Sequence, residues 1–301
     1  MNPILALIIA NIIWGAASPI FKFSLENIPP FTLAFIRFFF AGLIIIPFAL
    51  RQRQKISLQQ YLHIFWIGFF GITINIAFFF LGLQRTESIN VPVIASSGPL
   101  FIYLLSLVFL KEKPNLKIAL GMLTGLAGVL IIILSPVLID GKAISLGQIE
   151  GNLFILLATF GTVFQTVFSK NILKKVNPYT VSLISFFFGS FTFLPLALKE
   201  LNTWGFNQLN FQGWTGIIFG VFFSSALAYF LYYYGISKLA AQEVGLFTYI
   251  DPVVAVLIAA PLLGEIPSLY YAIGSVLVFG GIYLAEGRIH WHPWHKLKVK
   301  S

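Results

Sequence analysis

The sequence contains no cysteine, only two methionines and only four histidines in 301 residues. Without cysteine there is no disulfide, no thiol nucleophile and no cysteine-held metal, although the compartment stays open. Charge is nearly as scarce. Asp, Glu, Lys and Arg make up 10% of the chain, against roughly a quarter in soluble domains. Also missing are a phosphate-cradling Gly–Lys loop and any pair of acids spaced for joint chemistry, and His63 is the only histidine inside an apolar run. These absences argue against an enzyme, a direct ATP drive and a resident cofactor. What remains is apolar: 58% hydrophobic, 17% aromatic, with a mean hydropathy of +0.91. No soluble fold hides that much apolar surface, so the solvent is lipid. A formal charge of +9 would suggest nucleic acid in a soluble protein. Here Lys and Arg gather in short links between apolar runs, as membrane topology requires, and no nucleic-acid partner is expected.

A span needs about 20 apolar residues. Ten are expected, near 3–21, 31–50, 61–83, 90–110, 117–137, 150–169, 179–198, 213–236, 241–263 and 268–286. The first run lacks a basic leader and is followed at once by others, so it reads as a retained span rather than a cleaved signal peptide. Basic residues concentrate on one side: Arg51, Arg53 and Lys55, then Lys111, Lys113 and Lys117, then Lys170, Lys174 and Lys175, and finally Lys238 and the tail. The positive-inside rule then places both termini in the cytoplasm. Short loops and the lack of cysteine fit a prokaryotic inner membrane.

The chain repeats itself. Ser96–Pro114 reappears in altered form at Tyr249–Pro267: at an offset of 153, Pro99 meets Pro252, Glu112 meets Glu265 and Pro114 meets Pro267. Gly82, Gly121 and Gly128 fall on Gly235, Gly274 and Gly281 at the same spacing. Nearer the front the offset is 148, where Lys22 meets Lys170, Pro30 meets Pro178, Phe38–Phe40 meets Phe186–Phe188 and Pro47 meets Pro195. A repeat of this kind organises everything else. Five spans per half is an odd number, so the second half enters from the opposite side. The expected fold is an all-α polytopic membrane protein whose ten transmembrane helices form two inverted five-helix repeats. Residues 1–137 and 138–286 are the repeats and 287–301 a basic cytoplasmic tail. Inverted repeats recur in secondary transporters, where two similar halves expose a central site alternately to each side.

Several elements carry a family resemblance: Trp14-Gly15 in span 1, Ile36-Arg37-Phe38 with Ala41-Gly42 in span 2, and Gly98-Pro99 with Glu112 around span 4. Asp251-Pro252 and Gly264-Glu265 frame span 9. Over nearly its whole length the chain resembles the ten-helix, EamA-type members of the drug/metabolite transporter superfamily. That resemblance implies export of amino acids or other small metabolites, often coupled to an ion gradient, through a cavity lined by helices 1, 3, 4, 6, 8 and 9. One departure is that Ser185 stands in the second half where Arg37 stands in the first.

Polar groups inside spans are costly and usually face the bundle interior or a wet cavity. Helical spacing puts Asn11, Trp14 and Ser18 on one face of span 1 and Gly68, Gly71 and Asn75 on one face of span 3. With Ser96, Gln165, Tyr229, Tyr232, Thr248, Tyr249 and Asp251 they form the candidate substrate-binding set, an amphipathic chamber suited to a small zwitterion or an aromatic or apolar substrate. The competing reading of each Ser, Thr or Asn is helix-to-helix glue worth about 0.6–2 kcal/mol. Pro99 and Pro252 each leave a carbonyl one turn earlier without its donor, which makes them hinge or gating candidates. Asp251 is expected near the middle of span 9, as a proton site coupling transport, a substrate-amine site or a structural partner of Arg37. Arg37 could take a carboxylate but is read as a structural charge that snorkels outward or cross-links loops, and Glu112 and Glu265 as caps of, or ties to, the following helix. Gly121 and Gly125 match GxxxG, a packing face or the seam of a homodimer. The three tail histidines lack an acidic partner, so no metal is expected. The Trp-rich basic tail more simply meets lipid headgroups. A membrane-embedded enzyme and a non-transporting subunit remain the rival classes.

Overall fold

The computed structural model describes residues 1–52, 54–98, 100–101, 105, 116–140, 146–239, 244 and 246–286. Among these no strand occurs. The helices are α1 (Pro3–Leu25), α2 (Pro30–Arg51), α3 (Leu58–Leu83), α4 (described over Asn90–Ala95), α5 (Leu116–Asp140) and α6 (Leu146–Ile172). They continue with α7 (Pro178–Glu200), α8 (Phe211–Lys238), α9 (Ile250–Leu263) and α10 (Leu269–Glu286). Six are long and apolar enough to cross a membrane, and shorter apolar helices cover Leu123–Ser135, Phe247–Leu263 and Leu269–Gly281. The expected fourth span falls mostly outside the described residues, as do Pro99, Glu112, Pro114 and the tail.

Local chemistry sets the helix ends. Pro3, Pro30 and Pro178 sit in first turns, where a missing N–H costs nothing. Asn2, Ser57, Asn177 and Asn210 accept hydrogen bonds from first-turn amides, Ser57 in a full capping box with Gln60. Gly264 closes α9 at φ +70°, a left-handed position that suits glycine.

Packing follows an exchange of halves. The largest contacts join α5 to α10 and α2 to α7. α1 packs on α9 as α6 packs on α4, and α1 on α8 as α6 on α3. The repeated phenylalanine triplets meet across α2 and α7, with Phe38 and Phe186 ring centroids 5.6 Å apart and Phe39 and Phe187 5.9 Å apart. The GxxxG face is consumed inside the chain: Gly128 lies against Gly274, and Gly281 against Gly121 and Gly125, so closely that a Cβ would not fit. That stripe is therefore not a free face for a second copy.

Two interruptions were not legible in the prolines. α3 is π-helical over Phe69–Ile74 and α8 over Phe219–Leu227. The two lie at matching registers: at the 153 offset Gly71 falls on Ser224. Around the sequence-identified prolines, α4 gives way to a turn at Ser96–Ser97, and α9 is preceded by a 3-10 turn over Leu246–Tyr249. Pro252 thus lies in the first turn of α9, where it breaks no helical bond.

At the end of the bundle opposite Met1, Glu265 ties the halves together. Its carboxylate accepts from Ser88 N (3.0 Å), Ser88 Oγ (2.6 Å) and Ile89 N (3.1 Å), just ahead of α4. It also pairs with Lys22 Nζ of α1 at 3.2 Å, and Lys22 donates to the Thr86 carbonyl. The expected tie is present, but to a preceding helix of the other half rather than to the helix that follows. Lys170, the 148-offset counterpart of Lys22, donates to the carbonyls of Ile236 and Leu239, and Leu239 is the 153-offset counterpart of Thr86.

Candidate functional site

A cavity of about 170 Å³ lies within the bundle, lined from α1, α2, α3, α4, α6, α8 and the start of α9. At roughly 30 Å³ per water it holds about five or six waters, or a small organic molecule. Its wall is mostly apolar, with a few convergent polar groups, the character of a small-molecule site.

The sequence-selected residues divide. Trp14, Asn75, Gln165, Tyr229, Tyr232, Thr248 and Asp251 line the cavity. Asn11, Ser96 and Tyr249 are not among its lining residues. Asn11 is fully buried and its amide donates back to Leu7 O at 2.8 Å. Ser96 Oγ likewise donates to Pro92 O at 2.7 Å, a carbonyl that Ser96 N also bonds at 2.9 Å. Tyr249 turns toward α10 and meets the Phe279 ring edge-on at 5.7 Å. On α3 the π-helix shifts the register, so the face expected from 3.6-residue spacing splits. Gly68 lies against Ser185 of α7 and Gly71 against Gln165 of α6.

One wall is aromatic. The Trp14 ring lies 5.3 Å from Tyr229 and 4.8 Å from Tyr232. Trp14 Nε1 donates to the Ser224 carbonyl (3.1 Å) and Tyr229 OH to the Gly71 carbonyl (3.2 Å). Those acceptors are the register-matched residues of the two π-helices. A π-turn displaces carbonyls from the usual ladder, and here the displaced oxygens hold two cavity-lining aromatics in place. Tyr232 OH bonds Thr166 Oγ1 at 3.0 Å, Gln165 Nε2 donates to Tyr233 OH at 2.8 Å, and Asn75 Nδ2 donates to Ala158 O and Thr162 Oγ1, each at 2.8 Å. These bonds fix α1, α3, α6 and α8 around a common space.

Two ionisable side chains face that space. Asp251 sits in the first turn of α9, at the favourable end of the helix dipole, and its Oδ1 has no hydrogen-bond partner. Its position follows from Gly15: a Cβ there would lie 2.8 Å from Asp251 O and 2.9 Å from Asp251 Cα, so only glycine lets α1 approach so near. Arg37 corrects the snorkelling expectation. It is 1% exposed, lines the cavity, and donates through Nε to Ser225 Oγ and through Nη2 to Ser224 Oγ, both at 2.9 Å. Phe21 and Phe38 cover its faces at 4.5 and 4.7 Å. Among the described residues the salt bridges are Lys22–Glu265 and Arg85–Glu150, so Arg37 and Asp251 are not paired. The sequence did offer a signal for this role: an arginine inside an apolar span with a Ser-Ser pair in another. Spacing alone could not bring Arg37 and Ser224-Ser225 together.

Comparison with known proteins adds independent evidence. The model of the EamA-like transporter family matches the chain twice, over residues 1–134 and 149–286. A protein of Archaeoglobus fulgidus named an uncharacterized transporter is 27% identical over 291 residues, covering 95% of this chain and 98% of that protein. The uncharacterized transporter YetK of Bacillus subtilis is 26% identical, covering 94% of this chain and 86% of its own length. A chloroplastic WAT1-related protein of Arabidopsis thaliana is 25% identical over 91% of this chain and 66% of its own. One crystal structure superposes with a TM-score of 0.65 at 20% identity, covering 94% of this chain and 96% of that one, which speaks to the fold alone.

Proposed function

Because the chain belongs to the EamA-like transporter family, we propose that it is a secondary transporter that carries small metabolites, foremost amino acids or related compounds, by alternating access. The observation that carries this reading is the central cavity walled by helices of both halves, with aromatic, amide and charged groups converging on it. The distribution of basic residues supports an inner-membrane orientation with both termini cytoplasmic, and export is the direction that the family resemblance implies. The turns beside Pro99 and Pro252 are the proposed hinges about which the halves move. Asp251 is the proposed coupling group, because an unpartnered carboxylate facing the cavity can take up and release a proton as access alternates.

Counterflow in liposomes containing only this protein tests the reading. A panel of amino acids, nucleobases and related metabolites is expected to include compounds whose exchange saturates and whose internal excess drives uptake of labelled compound. Chemically altered product would mean an enzyme, and non-saturating flux a channel. Asp251→Asn is expected to lose acceleration by an imposed proton gradient, whatever rate of exchange it retains. Unchanged gradient-driven rate and pH dependence would remove Asp251 from coupling.

A further inference from the structure

We propose that Arg37 is the anion-binding group of the cavity, taking a carboxylate of the cargo, while Asp251 with Trp14 and Tyr232 holds its cationic end. This rests on the reading of the cavity as the transport site and adds what the cargo must carry.

A guanidinium inside a span is costly unless its donors are met. Arg37 meets the requirement only in part. Two nitrogens reach Ser225 and Ser224, and the third, Nη1, is buried with no hydrogen-bond partner. A purely structural arginine would be expected to close on a carboxylate, because leaving a buried charge uncompensated is what destabilises. The available carboxylate is Asp251, which lines the same cavity and also keeps an unpartnered oxygen. The protein therefore lines one space of about 170 Å³ with a basic and an acidic side chain that do not pair. A dipolar molecule placed between them would satisfy both.

The surroundings orient Arg37 rather than neutralise it. Serine hydroxyls accept from it without cancelling its charge, and the faces of Phe21 and Phe38 pin its plane. Gly220 of α8 gives it room, since a Cβ there would lie 3.2 Å from Arg37 Cβ. Nor does the helical scaffold demand an arginine here, because Ser185 stands at the repeat-equivalent position of α7. Both N–H groups of Nη1 and the second N–H of Nη2 stay open, a fork that can take a carboxylate bidentately. Asp251 shares the cavity with the Trp14 and Tyr232 rings, 4.8 Å apart, and aromatic faces attract an ammonium group.

The test uses purified full-length protein and triplets of probes sharing one side chain: an L-amino acid, its amide and its decarboxylated amine. Each is measured by thermal stabilisation and by counterflow. The free acid is expected to bind best, with amide and amine roughly tenfold or more weaker, as loss of a charge-assisted bond implies. Arg37→Gln is expected to abolish that preference, and Arg37→Lys, which keeps a point charge but not the fork, to retain part of it. Acid, amide and amine exchanged equally well by the wild type would overturn the inference while leaving the transport reading intact. So would undiminished acid preference in either folded variant. Stabilisation by chloride alone, lost in Arg37→Gln, with no discrimination within the triplets, would mark an inorganic-anion site and equally overturn it. If no probe is exchanged by the wild type, the transport reading for such compounds fails and the inference falls with it.

Discussion

Three carboxylates define what single residues do here. Asp251 faces the cavity with an open oxygen, whereas Glu265 at the far end is enclosed by Lys22, Ser88 and Ile89. Glu87, half-buried beside that cluster, is the contrasting case. Burial first, and then the like charge of Glu265, push its carboxyl above the ordinary glutamate range, while Lys22 offsets part of this. The folded protein therefore binds the Glu87 proton more tightly than the unfolded chain. Its contribution to stability falls as pH rises from the unfolded toward the folded value, and above that a charge penalty persists. Glu87→Gln is expected to raise the unfolding midpoint at pH 8 by about 2 °C, the scale of a partly exposed charge interaction. The gain should vanish at a pH low enough to protonate Glu87 in both states. A lower midpoint at pH 8, measured by thermal unfolding in detergent, would mean that Lys22 outweighs Glu265.

Helices were more legible than their irregularities. Length and apolarity located α1, α2 and α7 to within a few residues of their observed ends, and a first-turn proline codes each start locally. The π-segments of α3 and α8 were not legible. They contain no proline, and an extra residue per turn is settled by what the displaced carbonyls of Gly71 and Ser224 meet in other helices. The α1–α9 contact is likewise tertiary: Gly15 reads in sequence as one small residue among several, yet it sets how close α1 comes to Asp251. Gly15→Ala is expected to destabilise the protein by about 1–3 kcal/mol, the range of overpacking, and to reduce counterflow. Gly280→Ala, whose added methyl meets nothing within 4 Å, is the matched control and is expected to be neutral or slightly stabilising. Equal effects of both on thermal unfolding would show that the α1–α9 approach is not close.

At the scale of the molecule the repeat was the most legible feature, because paired prolines, glycines and charges keep register even where the surrounding residues have drifted. It correctly paired Lys22 with Lys170, each of which donates to a carbonyl at a repeat-equivalent position. It could not show that Glu265 crosses to the other half, since one sequence register does not say which neighbouring helix a side chain reaches. That crossing has a consequence for access. In the proposed orientation, with both termini cytoplasmic, Lys22, Ser88 and Glu265 are on the outer face, and an opening that parts α9 from α4 there would pull Glu265 away from Ser88 and Ile89. The natural chain has no cysteine, so the substitution Ala95→Cys, at a position that lines the cavity, reports access without background. In Glu265→Gln the ion pair is lost while the shape is kept. When the two substitutions are combined, labelling of the introduced thiol by a membrane-impermeant maleimide added outside is expected to rise. The rise is roughly tenfold for each 1.4 kcal/mol by which the closed state is weakened. Because Lys22 is partly exposed, with 29% of its side chain accessible, a change of several-fold is the scale to expect. A lowered unfolding midpoint with unchanged labelling would make Glu265 a brace of the fold rather than a latch between its halves.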